Sequence, residues 1–167
     1  MVKWILSILV IIVSTVLGLS KSKKFAEREC IISESITLFK RIQNEIVYLL
    51  SPLPNALEAA RLTLNTELKD VAGAIGCNII KGNFNTASVD KELDCLWQLT
   101  SYDKQIITSG LVSLGKADVS SQIGIISNTI ELLETQKLDA RDEKVKNSKL
   151  YKTLGLISGV MIAIIFI

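Results

Sequence analysis

Apolar residues in this chain fall into unbroken runs at the two ends and periodic stripes between them. Trp4 to Leu19 is uncharged, with Lys3 before it and Lys21, Lys23 and Lys24 after it. Leu154 to Ile167 holds no charge, Asn, Gln or Pro, and Lys144, Lys146, Lys149 and Lys152 all precede it. At about 1.5 Å per residue, Leu150 to Ile167 crosses most of a hydrocarbon layer of about 30 Å. The pattern predicts an N-terminal transmembrane helix over residues 1–20 and a C-terminal membrane anchor over 150–167. A cleaved signal peptide is the competing reading of the first run. The basic cluster behind it and the lack of a small-x-small cleavage site speak against that. Both basic flanks face residues 21–149, which predicts a cytoplasmic domain with both termini across the bilayer.

Inside those limits the period is helical. Phe25, Ile32, Phe39 and Ile46 recur every seven residues, with Ile36, Ile42, Leu49 and Leu50 in neighbouring positions. That is the stripe of a long helix laid against a partner, with Lys40, Arg41, Asn44 and Glu45 away from much of it. Arg41 and Glu45, four apart, predict a surface ion pair. Ser51-Pro52-Leu53-Pro54 stops the helix, and Pro54 suits the first turn of the next. Asn55–Thr66 and Val71–Lys81 read as further helices, with Gly73 and Gly76 allowing close backbone approach in the second. Gly82 to Asn85 reads as a turn, and Ser88 as the cap of a helix whose inner face is Val89, Leu93, Leu96 and Trp97. Asp103 starts a helix carrying Ile106, Ile107, Leu111 and Leu114. Gly115 reads as its left-handed stop and Asp118 as the next cap. Val119, Ile123, Ile126, Ile130 and Leu133 then form a regular seam. Glu134–Lys149 is polar on all sides, so its helix needs a neighbouring copy or a partner protein to hold it. The prediction is an all-α fold: an antiparallel helical bundle of about six helices over 21–149, between two transmembrane helices.

Composition narrows the function. Lys and Arg number 19 against 17 Asp and Glu, a balance with no basic footprint for nucleic acid. There is no histidine, which removes Ser-His-Asp and Cys-His catalysis and every His-liganded metal site. Cys30, Cys77 and Cys95 lack C-x-x-C spacing and read as reduced, mostly buried thiols. Gly73-x-x-Gly76 lacks the Lys and Ser/Thr of a nucleotide loop. The carboxylates are spread along helices beside Lys and Arg, and none is singled out for acid–base work. The reading is a non-enzyme without cofactor or metal. A small pore-forming or membrane-disrupting protein, or a generic membrane-anchored adaptor, are the alternatives, and the sizeable patterned domain speaks against the pore.

The landmarks occur in a specific order. Arg41-Ile-Gln-Asn-Glu45-Ile-Val-Tyr48 leads into Pro52-Leu-Pro54-x-Ala56-Leu57. Leu114-Gly115-x-x-Asp118-x-x-x-Gln122 follows, then Lys149-Leu150-Tyr151-Lys152-x-Leu154-Gly155. In this order and around two apolar ends, the chain resembles the stage III sporulation protein AB family of endospore-forming bacteria over essentially its whole length. The resemblance implies a component of the mother cell–forespore channel complex. Its bundle would be similar to the cytoplasmic domain of the inner-membrane platform protein of type II secretion and type IV pilus systems. By analogy it would sit in the mother-cell membrane around the forespore and engage a cytoplasmic ATPase, the companion stage III sporulation protein AA. A platform protein carries two such bundles, so one bundle here implies a homo-oligomer. No catalytic residue carries over. The candidate partner interface is Arg41, Glu45, Leu53, Gly115, Asp118 and Gln122.

Overall fold

The structure is a computed structural model that describes the helical course of residues 2–166. Side chains are described for residues 23–118 and 121–147, and for Leu150, Tyr151, Thr153, Leu154, Ile157 and Met161. Among the described residues there are six α-helices and no strand: α1 Val2–Leu49, α2 Leu53–Arg61, α3 Leu68–Ile80, α4 Thr86–Leu93, α5 Ser101–Leu114 and α6 Val119–Phe166. The first and last are each 48 residues long. The apolar ends are therefore continuations of the long helices rather than extra elements, which brings the total to six. Glu134–Lys149 runs on into Leu150 as one helix. Among the residues whose side chains are described, no helix is long and apolar enough to cross a membrane. The predicted spans over 1–20 and 150–167 lie almost wholly outside those residues.

The chain divides into two compact units, Cys30–Leu138 and Met1–Glu29 with Asp139–Ile167. Within Cys30–Leu138, consecutive short helices pack on one another, α2 on α3, α3 on α4 and α4 on α5. Lys40 reaches Glu134 at 3.3 Å and Lys137 reaches the Ser33 hydroxyl at 2.9 Å, so α1 and α6 run antiparallel there. The α1 stripe supplies Ile32, Phe39, Ile42 and Ile46 to the core. Leu57, Leu93, Leu96, Ile107, Leu111, Ile126 and Leu133 close around them. Each such side chain contributes roughly 1.5–3 kcal/mol by leaving water.

Helix ends follow local chemistry, with corrections to the sequence reading. Pro54 does sit in the first turn of α2. The cap of α4 is Asn85, not Ser88: the Asn85 side chain accepts from the Ser88 amide at 2.9 Å, and the Ser88 hydroxyl accepts from the Asn85 amide at 3.1 Å. Thr100 caps α5 in the same reciprocal way, with Asp103 as its partner three residues on. Gly115 is not a left-handed stop, since its φ is −69°. A Cβ there would overlap the Phe84 ring, so what it grants is space for that ring. Gly73 and Gly76 have only ordinary side-chain neighbours at 3.4 and 3.6 Å, which removes the close backbone approach expected of them. Trp97 is 57% exposed rather than core, although its expected inner-face companions Leu93 and Leu96 are fully buried. All three cysteines are exposed, contrary to the buried thiols expected.

In the other unit, α1 and α6 pair again. Arg28, buried, bonds Glu143 at 2.6 Å, Glu29 bonds Lys144 at 2.6 Å, and the Phe25 and Tyr151 rings stack with centroids 5.9 Å apart. The polar stretch after Glu134 thus finds partners in its own chain. Ala140, also buried, leaves room for the helices to meet.

Candidate functional site

The end of α1 carries two of the six predicted interface residues. Arg41 and Glu45 form the expected ion pair at 2.9 Å, but Glu45 is buried, so the pair is only half a surface feature. The Glu45 carboxylate also accepts from the Ser51 hydroxyl at 3.4 Å, and its backbone carbonyl accepts from the Ser51 amide at 3.0 Å. The chain can make that return only by turning left-handed at Leu50, with φ +49°. The end of α3 solves the same problem with Gly82, φ +72°. There the Asn83 amide reaches back to the Asn78 carbonyl and the Gly82 amide to Ile79, a glycine-terminated helix end. Leucine in this conformation sets its Cβ against the following carbonyl, at a cost of roughly 1–2 kcal/mol.

The turn exposes three consecutive large side chains: Tyr48 by 78%, Leu49 by 64% and Leu50 by 78%. Leu49 and Leu50 were expected to extend the buried stripe. They cannot, because α1 outruns the core by a turn before it stops. Beside them lies a cleft of about 260 Å³ lined by Ile46, Leu50, Ser51, Pro52, Leu53 and Gln122. Leu53 and Gln122 therefore meet in one place. The Gln122 side-chain amide donates to the Leu114 carbonyl at 3.0 Å, and its backbone amide donates to the Asp118 carbonyl at 3.0 Å. These bonds tie the α5–α6 turn to the cleft, and Asp118 holds the cap position predicted for it. Gly115 does not line the cleft and lies instead against the Phe84 ring. Sequence reasoning missed Tyr48, Leu49 and Leu50. The available signal was the absence of any glycine between Tyr48 and Pro52, where a long helix must turn.

A larger cleft, about 590 Å³, lies between α4 and α5, with Asp90, Asp94, Lys104 and Thr108 in its wall. The Thr108 hydroxyl donates to Asp90 at 2.5 Å and Lys104 pairs with Asp94 at 3.1 Å. These groups bond one another rather than present a nucleophile beside a base. On α2 the Arg61 guanidinium hydrogen-bonds Glu58 and holds its carboxyl below the usual carboxylate range. Partial burial pushes the Cys95 thiol up, away from the thiolate that would make it reactive. Among the described residues no group of His, Cys, Asp and Glu is placed to hold a metal ion.

The family model described as stage III sporulation protein AB matches residues 3–167. The chain belongs to that family. The protein named Stage III sporulation protein AB of Bacillus subtilis (strain 168) is 23% identical over 169 residues, which cover 99% of both chains. No solved structure matches the chain.

Proposed function

We propose that this chain is a membrane-anchored assembly component of endospore formation, without chemistry of its own. In this reading both ends anchor in the mother-cell membrane around the forespore and the helical body faces the cytoplasm. The body serves as a platform for the mother cell–forespore channel complex and engages the companion ATPase, stage III sporulation protein AA.

The observation that carries the platform reading is the corner at the end of α1. Three adjacent apolar side chains stand in water there, on a backbone that a glycine would satisfy at lower cost. Strain and exposed apolar surface at one point fit a contact surface better than a fold requirement. Family membership over residues 3–167 supports a role in sporulation. The anchor reading draws on α6, where Leu150, Leu154, Ile157 and Met161, spaced four, three and four apart, are each about half or more exposed. An uncovered apolar stripe of that length calls for lipid or another helix.

The test is in-cell photocrosslinking during sporulation, with probes at Arg41, Tyr48, Asp118 and Gln122. Recovery of the ATPase from these positions, and not from a probe at Lys91 on α4, is the expected result. Recovery of nothing but other copies of the chain would reduce the platform to a self-assembling scaffold.

A further inference from the structure

Charge is divided between the two units. Cys30–Leu138 holds nine basic and twelve acidic residues, whereas the paired ends, 1–29 and 139–167, hold ten basic and five acidic. Two of those five acids, Glu29 and Glu143, are already bonded to Lys144 and Arg28. The other basic residues lie at 21–24 and 141–152, apart from Lys3. Among them Lys23, Arg141 and Lys146 are exposed, and none takes part in a described ion pair. On α6 the uncovered apolar stripe begins at Leu150, four residues beyond Lys146. At about 1.5 Å per residue this is roughly 6 Å along the helix, within the reach of a lysine side chain into a headgroup layer.

We infer that the paired ends select anionic phospholipid headgroups, binding their phosphates through Lys23, Arg141 and Lys146 while the stripe from Leu150 takes the acyl chains. The inference rests on the anchor reading above and adds a lipid preference to it. Charge complementarity decides the occupant. A second copy would bring the same positive collar against this one, whereas an anionic bilayer supplies both the countercharge and the hydrocarbon. Each lysine or arginine at such a surface strengthens association roughly fivefold, and the effect falls off within a Debye length of about 8 Å. Lys23 and Lys146 are therefore expected to weigh more than Arg141, which stands about nine residues from the stripe.

The experiment uses the full chain reconstituted in phosphatidylcholine vesicles doped with spin-labelled phosphatidylglycerol or spin-labelled phosphatidylcholine. The fraction of each probe that the protein immobilises gives their relative association. Several-fold selection of phosphatidylglycerol is expected, shrinking in high salt and approaching no selection in the K23Q/R141Q/K146Q variant. A K81Q/K91Q/K116Q control on the helical body is expected to keep the selectivity. Equal immobilisation of both probes by the wild type would overturn the lipid preference and leave the anchors standing. Undiminished selection by K23Q/R141Q/K146Q would overturn the assignment to these side chains. Failure of the chain to enter phosphatidylcholine vesicles at all would instead overturn the anchor reading, and the preference with it.

Discussion

Replacing Leu50 by glycine separates the two roles that this corner could have. The left-handed backbone at Leu50 costs roughly 1–2 kcal/mol with a leucine Cβ and nothing comparable with glycine. Glycine gives some of that back, because the unfolded chain gains freedom worth about 0.4–1 kcal/mol. Leu50 is 78% exposed, so the burial lost with its side chain is worth well under about 1 kcal/mol. The balance is a variant as stable as the wild type or more stable by up to about 1 kcal/mol. Thermal unfolding of the detergent-solubilised chain, followed by circular dichroism, reads this directly. In sporulating cells the same variant is expected to lose crosslinking from the Tyr48 and Gln122 probes and to lower spore yield. A drop in stability of more than about 1 kcal/mol would refute the reasoning, since Leu50 would then be a packing residue. Unchanged sporulation in a stabilised variant would refute it from the other side, leaving the exposed leucine with no use.

Other substitutions probe the framework. A Cβ at Gly110 would lie 2.8 Å from both Thr129 Oγ1 and Cγ2 and 3.0 Å from the Phe39 ring. Gly110→Ala is therefore expected to lower stability by about 1–2 kcal/mol despite its better helix propensity, and Gly110→Ala/Thr129→Ala to recover part of that in a double-mutant cycle. Nothing lies within 4 Å of a Cβ at Gly124, so Gly124→Ala should stabilise by up to about 1 kcal/mol in the same melt. Glu143→Ala removes the 2.6 Å ion pair made by the buried Arg28. Because Glu143 itself is half exposed, a loss of about 1–2 kcal/mol is expected, reduced when Arg28→Met is added. Glu58 has a lowered folded pKa, chiefly through the Arg61 hydrogen bond, so its contribution is present at neutral pH and lost as pH falls through that value. Unfolding midpoints of wild type and Glu58→Gln should thus converge at pH below the ordinary carboxylate range. Alkylation of Cys95 should be slower at neutral pH than that of an unhindered model thiol, despite its exposure, and should accelerate only at higher pH.

The amino-acid pattern by itself determined the class of fold, because apolar spacing is a one-dimensional property. Ile32, Phe39, Ile42 and Ile46 recur at helical period and are buried together, as are Ile106, Ile107, Leu111 and Leu114. Proline at 52 and 54 placed the first break for the same local reason: a missing donor and a fixed φ. The order of landmarks also placed the chain in its family. What sequence could not reach were properties set by residues far apart. Gly115 looked like a helix stop, yet its smallness serves the ring of Phe84, some thirty residues earlier. Glu134–Lys149 looked unsupported, yet its partners Arg28 and Glu29 lie more than a hundred residues away. Trp97, Leu49 and Leu50 had the composition of a core, and only the packed helices decided where that core ended. A stripe along one helix states which face is apolar; how much of that face is covered depends on the length of the neighbours laid against it.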